Sequence, residues 1–98
     1  MKSIIQKDEF HCFLCGRNAA VEPLDEHHVF GGANRKLSEK YGLKVFLHHF
    51  SCHIFGKGSV HQNGDVAKKV KRVVQLKAMR YYNWTEEQFI EIFGKSYI

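Results

Sequence analysis

Seven histidines and three cysteines stand among only 98 residues, and several of them fall at spacings that suit metal binding. Cys12-Phe-Leu-Cys15 is a C-x2-C pair, and His49-Phe-Ser-Cys52 is an H-x2-C pair downstream of it. Together they make a Cys3His set, which suits tetrahedral Zn2+ held by thiolate and imidazole. Four protein ligands leave no open position, so such a zinc would be structural. His48 competes with His49 for the fourth place; the matching x2 spacing favours His49. The bland alternative is three unrelated reduced cysteines, since a short cysteine spacing also arises by chance and in redox motifs.

His27, His28, His53 and His61 remain outside that set. Neighbours on an extended chain face opposite sides, so His27 and His28 should do different jobs. His53 follows Cys52 directly, which ties its position to the zinc. Two or three imidazoles on one ion with open coordination positions would make a catalytic metal centre. A remaining histidine could act as general base, because imidazole titrates near neutral pH. His11 reads as an ordinary surface histidine, and so does His48 if His49 is the ligand.

Several short elements must position these groups. Ser3–Phe13 reads as extended, and Val21–Phe30 as a hairpin or two short strands broken by Gly31-Gly32. Asn34–Tyr41 has helical composition and stops at Gly42. Leu43–Leu47 alternates as a strand, and His48–Asn63 reads as a loop with at most a short helix. A basic amphipathic helix starts at Asp65, its expected cap. A last helix follows Thr85, where Thr85-Glu-Glu-Gln88 is a capping box, and ends at Gly94. The apolar stripes of both helices read as core.

Length allows one domain, 1–98, with a ligand-bearing core over 12–61 and a helical part over 64–98. A chain this short buries roughly 60–70% of its unfolded surface, so a metal staple would compensate for a thin core. The formal charge is +5 and the pI about 9.2. A basic surface with many His and Cys points to metal and nucleic acid. Arg35 and Lys36 beside the glycines are candidates to hold a phosphate, or merely a solvated helix start. Lys68, Lys69 and Arg72, within a run that includes Lys71, Lys77 and Arg80, could track a nucleic-acid backbone, although such runs are usually solvated helix faces. No apolar run approaches a membrane span, and acidic Asp8 and Glu9 interrupt any signal-like start. The expectation is a cytoplasmic protein with no membrane partner.

The order C-x2-C, Asp25-x-His27-His28, a strand, Cys52-His53 and then His61 resembles the HNH, or ββα-metal, nucleases. HHVFGGANRKLSEKYGLKVFL, the Val60-His61 pair and the ending FGKSYI look like small phage and prophage members of that family. The likeness runs over nearly the whole chain. It implies an α+β fold: a zinc-stapled ββα-metal (HNH, or His-Me finger) core followed by two C-terminal helices. It assigns His27, His53 and His61 to a catalytic divalent ion such as Mg2+, Mn2+ or Zn2+, and His28 to the general base. Cys12, Cys15, His49 and Cys52 would hold structural zinc. The implied activity is metal-dependent endonuclease hydrolysis of DNA phosphodiester bonds, nicking or cleaving with low sequence specificity. RNA is the other candidate substrate. The setting would be a bacterial host cytoplasm, with phage packaging or recombination proteins as partners.

The chain departs from the pattern in three respects: the later zinc half is H-x2-C where the family usually has C-x2-C, an acceptable ligand exchange; the spacing from His53 to His61 is longer; and an Asn is missing. The family's Asn, which orients the base from just before the second strand, is missing from Tyr41-Gly42-Leu43-Lys44, and Asn34 is the candidate substitute. A non-catalytic, zinc-dependent nucleic-acid-binding module is the alternative from another class. A small protein whose basic helix meets an acidic partner is the third.

Overall fold

The computed structural model describes residues 1–98 as a small α+β fold. Strand β1 (Leu24–His28) pairs antiparallel with β2 (Lys44–His48) in a two-stranded sheet. Helix α1 (Arg35–Tyr41) fills the connection, entered through a 3₁₀ turn at Gly32–Asn34. A single wide helical turn, His49–Ile54, follows β2 directly. Helices α2 (Gly64–Tyr82) and α3 (Glu86–Phe93) complete the chain. No helix is long and apolar enough to cross a membrane.

The register decides what each strand residue can reach. Leu24 lies opposite His48, Glu26 opposite Phe46 and His28 opposite Lys44, all on one face. Asp25 opposite Leu47 and His27 opposite Val45 share the other face. The expected strand at Leu43–Leu47 is thus displaced by one residue and extends to His48. Val21–Phe30 forms one strand rather than a hairpin.

Ser3–Phe13, expected to be extended, forms no strand; only a single bridge joins His11 to Asn18. Ser3 Oγ accepts from the Ile5 and Gln6 amides and turns the chain instead. The open edge of β2 is then covered piecemeal. Gln6 Oε1 accepts from Phe46 N, and Phe13 N donates to Phe46 O. These contacts satisfy backbone groups that a third strand would otherwise pair.

Phe30, Leu43, Val45, Leu47, Val74, Ala78 and Phe89 are fully buried and unite strands and helices. Phe30 packs against Phe89 and Phe93 at ring separations of 5.5 and 5.0 Å. Ser38 Oγ accepts from Phe30 N and donates to Phe30 O, which fixes α1 against the end of β1. Gly42 ends α1 at φ +71°, where a Cβ would lie 2.6 Å from the Lys2 carbonyl, so position 42 needs glycine twice over.

The cap of α2 differs from expectation. Asn63, not Asp65, accepts from the Asp65 and Val66 amides, which starts the helix at Gly64. Both residue types cap well, and Asp65 is left in the first turn, where its charge suits the helix dipole. The Thr85–Gln88 capping box of α3 is formed as expected, and Gly94 ends that helix in the left-handed region.

Candidate metal centres and active site

Cys12, Cys15, His48 and Cys52 bring one ligand atom each to within 4.8 Å of the others. The Cys12–Cys15 turn is built for this. Cys15 N points at Cys12 Sγ (3.5 Å), Gly16 N donates to Cys12 O, and Gly16 takes φ +77° to close the turn. His48 Nδ1 lies 3.2 Å from Cys15 Sγ, while its Nε2–H donates to the Asn18 carbonyl at 2.9 Å. That second bond fixes the tautomer and turns Nδ1 towards the sulfurs, as ligating histidines require.

The fourth ligand is therefore His48 rather than His49. His48 is the last residue of β2 and shares a face with Leu24 on the far side from Asp25. His49 starts the following turn and binds Asp25 instead. Strand alternation overrides the matching spacing. His48 is also fully buried, not the surface residue expected.

The donor set fits a thiophilic cation such as zinc. Cys12 and Cys52 are buried. Burial and the adjoining thiols of Cys12 and Cys15 push the Cys52 thiol up to about 12. Burial also opposes ionisation of Cys15, but the Arg17 backbone N–H and guanidinium, together with hydrogen bonds from Cys12 and Cys52, outweigh it and bring that thiol to about 6. Thiols so close resist ionising together, and a bound cation is what relieves that conflict.

His27, His53 and His61 form a second cluster, again with ligand atoms within 4.8 Å. Their ring centroids lie 5.0 Å (27–53), 5.6 Å (27–61) and 4.7 Å (53–61) apart. His27 comes from β1. His53 comes from the turn after β2, one residue beyond the sulfur ligand Cys52. His61 is brought back by backbone bonds from Val60 N to Cys52 O (2.9 Å) and from His61 N to His53 O (3.1 Å). The turn itself is a wide one: Phe55 N donates to Phe50 O, five residues back, and Gly56 N to the same oxygen. A Cβ at Gly56 would fall 2.1 Å from Ser51 O, so only glycine fits there.

Burial, and then the neighbouring His53 and His61, push the His27 imidazole down to about 3. Burial lowers His61 as well, with His53 adding to it. His27 and His61 are thus held towards the neutral ring, the form that ligates a metal. Asp25 orients this site. Its Oδ2 accepts from His53 Nδ1 (2.9 Å) and from His49 Nδ1 (2.5 Å), which frees His53 Nε2 for an ion. Burial works against the Asp25 charge, but the bonds from His53 and His49 still hold its carboxyl below the ordinary range.

Beside the three histidines opens a cavity of about 350 Å³, lined among others by His28, Arg35, Val60 and Lys71. His28 and Arg35 also line an adjoining groove with Lys36 and Glu39. Of the expected phosphate-binding residues, Arg35 therefore reaches the cavity and Lys36 the groove. Lys68, Lys69 and Arg72 lie on the exposed face of α2 and line neither.

Asn34 does not line the histidine cavity. Its Nδ2 donates to the Phe93 carbonyl at 2.9 Å, tying the 3₁₀ turn to the end of α3. The residue at His28 is Glu39, whose Oε1 lies 2.9 Å from His28 Nε2. Lys44, 4% exposed, bridges Glu39 Oε2 and Glu26 Oε1 at 3.2 Å each. The Met1 ammonium, His28 and Lys44 together hold the Glu39 carboxyl at about 2.

Comparison of the chain with protein-family models, curated proteins and solved structures found no match.

Proposed function

We propose that the chain is a ββα-metal (HNH) endonuclease that hydrolyses nucleic-acid phosphodiester bonds with the aid of a divalent metal, DNA being the favoured substrate. One observation carries the reading. Three imidazoles from separate parts of the chain, His27 and His61 among them held towards the neutral form, converge beside a cavity also lined by His28, Arg35 and Lys71. The antiparallel β1–β2 pair, followed at once by the turn bearing His53, supports the same reading.

His27, His53 and His61 would hold the catalytic ion, and Cys12, Cys15, His48 and Cys52 the structural zinc. A divalent ion at the three histidines would offset the charge that builds on the phosphate and leaving oxygens. The chain's own residues do the rest. His28 takes a proton from water, which attacks phosphorus in line and leaves 5′-phosphate and 3′-hydroxyl ends. Arg35 and Lys71, which line the cavity, would take phosphate oxygens and anchor the strand. Phosphate contacts carry no sequence information, which accords with low specificity. A phage origin, with packaging or recombination partners, belongs to the same reading.

Purified zinc-loaded protein is incubated with supercoiled plasmid in Mg2+, Mn2+ or EDTA, beside His28→Ala. Nicking or linearisation only with metal and only by the wild type is expected. Intact plasmid in every lane, with bound DNA in a gel-shift assay, favours the second reading, a non-catalytic nucleic-acid-binding module. Asn34, turned away from His28, is the observation that keeps this alternative in view.

A further inference from the structure

We propose that Glu39 is the positioning residue for His28, fixing its Nε2–H tautomer and presenting Nδ1 to the cavity; its catalytic consequence rests on the nuclease reading above.

A carboxylate can only accept, so the 2.9 Å contact between Glu39 Oε1 and His28 Nε2 places the ring proton on Nε2. In the neutral imidazole the lone pair then sits on Nδ1, the nitrogen a general base would use. The hold is firm for two reasons. Glu39 lies on α1, and the Ser38–Phe30 hydrogen bonds lock that helix to the end of β1, two residues beyond His28. Lys44 lies 3.2 Å from the other carboxylate oxygen, so both oxygens of Glu39 are tethered although its side chain is 45% exposed. Arg35, one helical turn before Glu39, lines both the cavity and the groove with His28. One short helix thus carries a phosphate-binding cation and the residue that aims the base.

Glu26, His28 and Glu39 also lie close enough together to suggest a third cation site. Lys44 argues otherwise. Its ammonium stands 3.2 Å from both carboxylates and supplies the positive charge that a metal would bring. The cluster is an orienting network, and Asn34, bound to Phe93, takes no part in it.

The test pairs a structural readout with a kinetic one. Long-range ¹H–¹⁵N correlation spectra of the zinc-loaded, histidine-labelled protein, at a pH where imidazole is neutral, report which nitrogen of His28 is protonated. The wild type should show the Nε2–H form. Glu39→Ala should show a mixture of tautomers. Its kcat on DNA should fall about ten- to a hundredfold, at most what losing a general base costs. KM and metal affinity at the three histidines should stay within about threefold. Glu39→Gln matches the size of Glu39 and guards against a Glu39→Ala protein that fails to fold; with its amide oxygen on Lys44 it turns an N–H to His28 Nε2, and should show the Nδ1–H form and lose rate at least as far. A wild-type Nδ1–H form, or a tautomer that Glu39→Ala leaves untouched, overturns the proposal. So does a wild-type kcat in a variant whose His28 tautomer has reversed. A protein that cuts nothing, yet loses the Nε2–H form in Glu39→Ala, upholds the Glu39–His28 pairing while the nuclease reading fails.

Discussion

Exchanging His48 and His49 one at a time tests the zinc assignment more sharply than any cysteine variant. Structural zinc in small domains contributes about 10–16 kcal/mol of apparent binding energy, strongly dependent on pH. A domain of this size has a net stability of roughly 5–15 kcal/mol. A zinc at these four residues would therefore contribute as much as the whole margin of folding. Cys12 and Cys52 are also part of the buried core, so metal loss and core loss coincide.

His48→Ala removes one of four ligands, leaves the Asn18 carbonyl without its donor and empties a fully buried site. The unpaired carbonyl alone costs about 1–3 kcal/mol. His49→Ala removes a bond to Asp25 between side chains 34% and 32% exposed. That should cost no more than about 1 kcal/mol, or a few degrees in Tm. Zinc content per chain, the absorption of the Co2+-substituted protein and thermal melting with and without chelator read the outcome. His48→Ala should bind zinc poorly and melt early or not fold. His48→Cys, which restores a ligand, should recover zinc. His49→Ala should keep one zinc per chain at the four-ligand site and unfold only when that zinc is stripped. A His48→Ala protein with full zinc and wild-type melting, beside a zinc-free His49→Ala, would refute the reasoning from strand alternation.

Three further outcomes are expected. Asp25→Ala should weaken binding of Zn2+ or Co2+ at His27, His53 and His61 about 10- to 100-fold by calorimetry, with the four-ligand zinc still in place; unchanged affinity would mean that His53 is oriented by something else. Asn34→Ala should cost about 0.5–1.5 kcal/mol in denaturant melts, through the lost bond to Phe93, and leave the cleavage rate per folded molecule unchanged; a rate loss above tenfold would return Asn34 to the active site. His27 is lowered from 6.5 to about 3, so below pH 6.5 the unfolded chain takes up a proton that the native site refuses. Native stability should then fall as pH drops from 6.5 towards 3, by at most about 1.4 kcal/mol per pH unit from this group, and be unaffected by it above 6.5. Zinc-loaded protein without added catalytic metal, melted between pH 7.5 and 5 beside His27→Asn, checks this: the variant's curve should be flatter, and parallel curves would count against a sheltered ring.

The residues that chemistry requires could be read directly, and their partners could not. Cys12, Cys15, Cys52, His27, His53 and His61 stand out because thiols and imidazoles are few and their order along the chain is informative. His48 was obscured by a one-residue error in the end of β2. Once the strand is extended to His48, alternation places His48 and His49 on different sides, the argument already applied to His27 and His28. Asp25 and Glu39 carry no spacing signal, since a carboxylate on a small basic domain is ordinarily a solvated one. Each becomes meaningful through tertiary structure alone: Asp25 by sharing a sheet face with His27, Glu39 by the docking of α1 through Ser38. The α2 cap shows the same limit locally. Asn63 and Asp65 are equally good caps by type, and only the path of the preceding loop chooses between them.

That path also links the two candidate metal centres. Cys52 and His53 are adjacent on one turn, and their carbonyls accept from Val60 and His61. His48, at the end of β2, and Cys52, within the turn, are both directed at the Cys12–Cys15 knuckle, so a cation there would pin the turn on the side where it leaves the sheet. His53 and His61 hang from the same backbone ladder, while His27 is fixed independently by β1. The geometry of the histidine cluster is therefore coupled to the cysteine site through this turn and its ladder. Glycine at position 56 belongs to this coupling. The wide turn brings Ser51 O where a side chain would stand, and a chain that could not close there would leave His61 without a route back to His53.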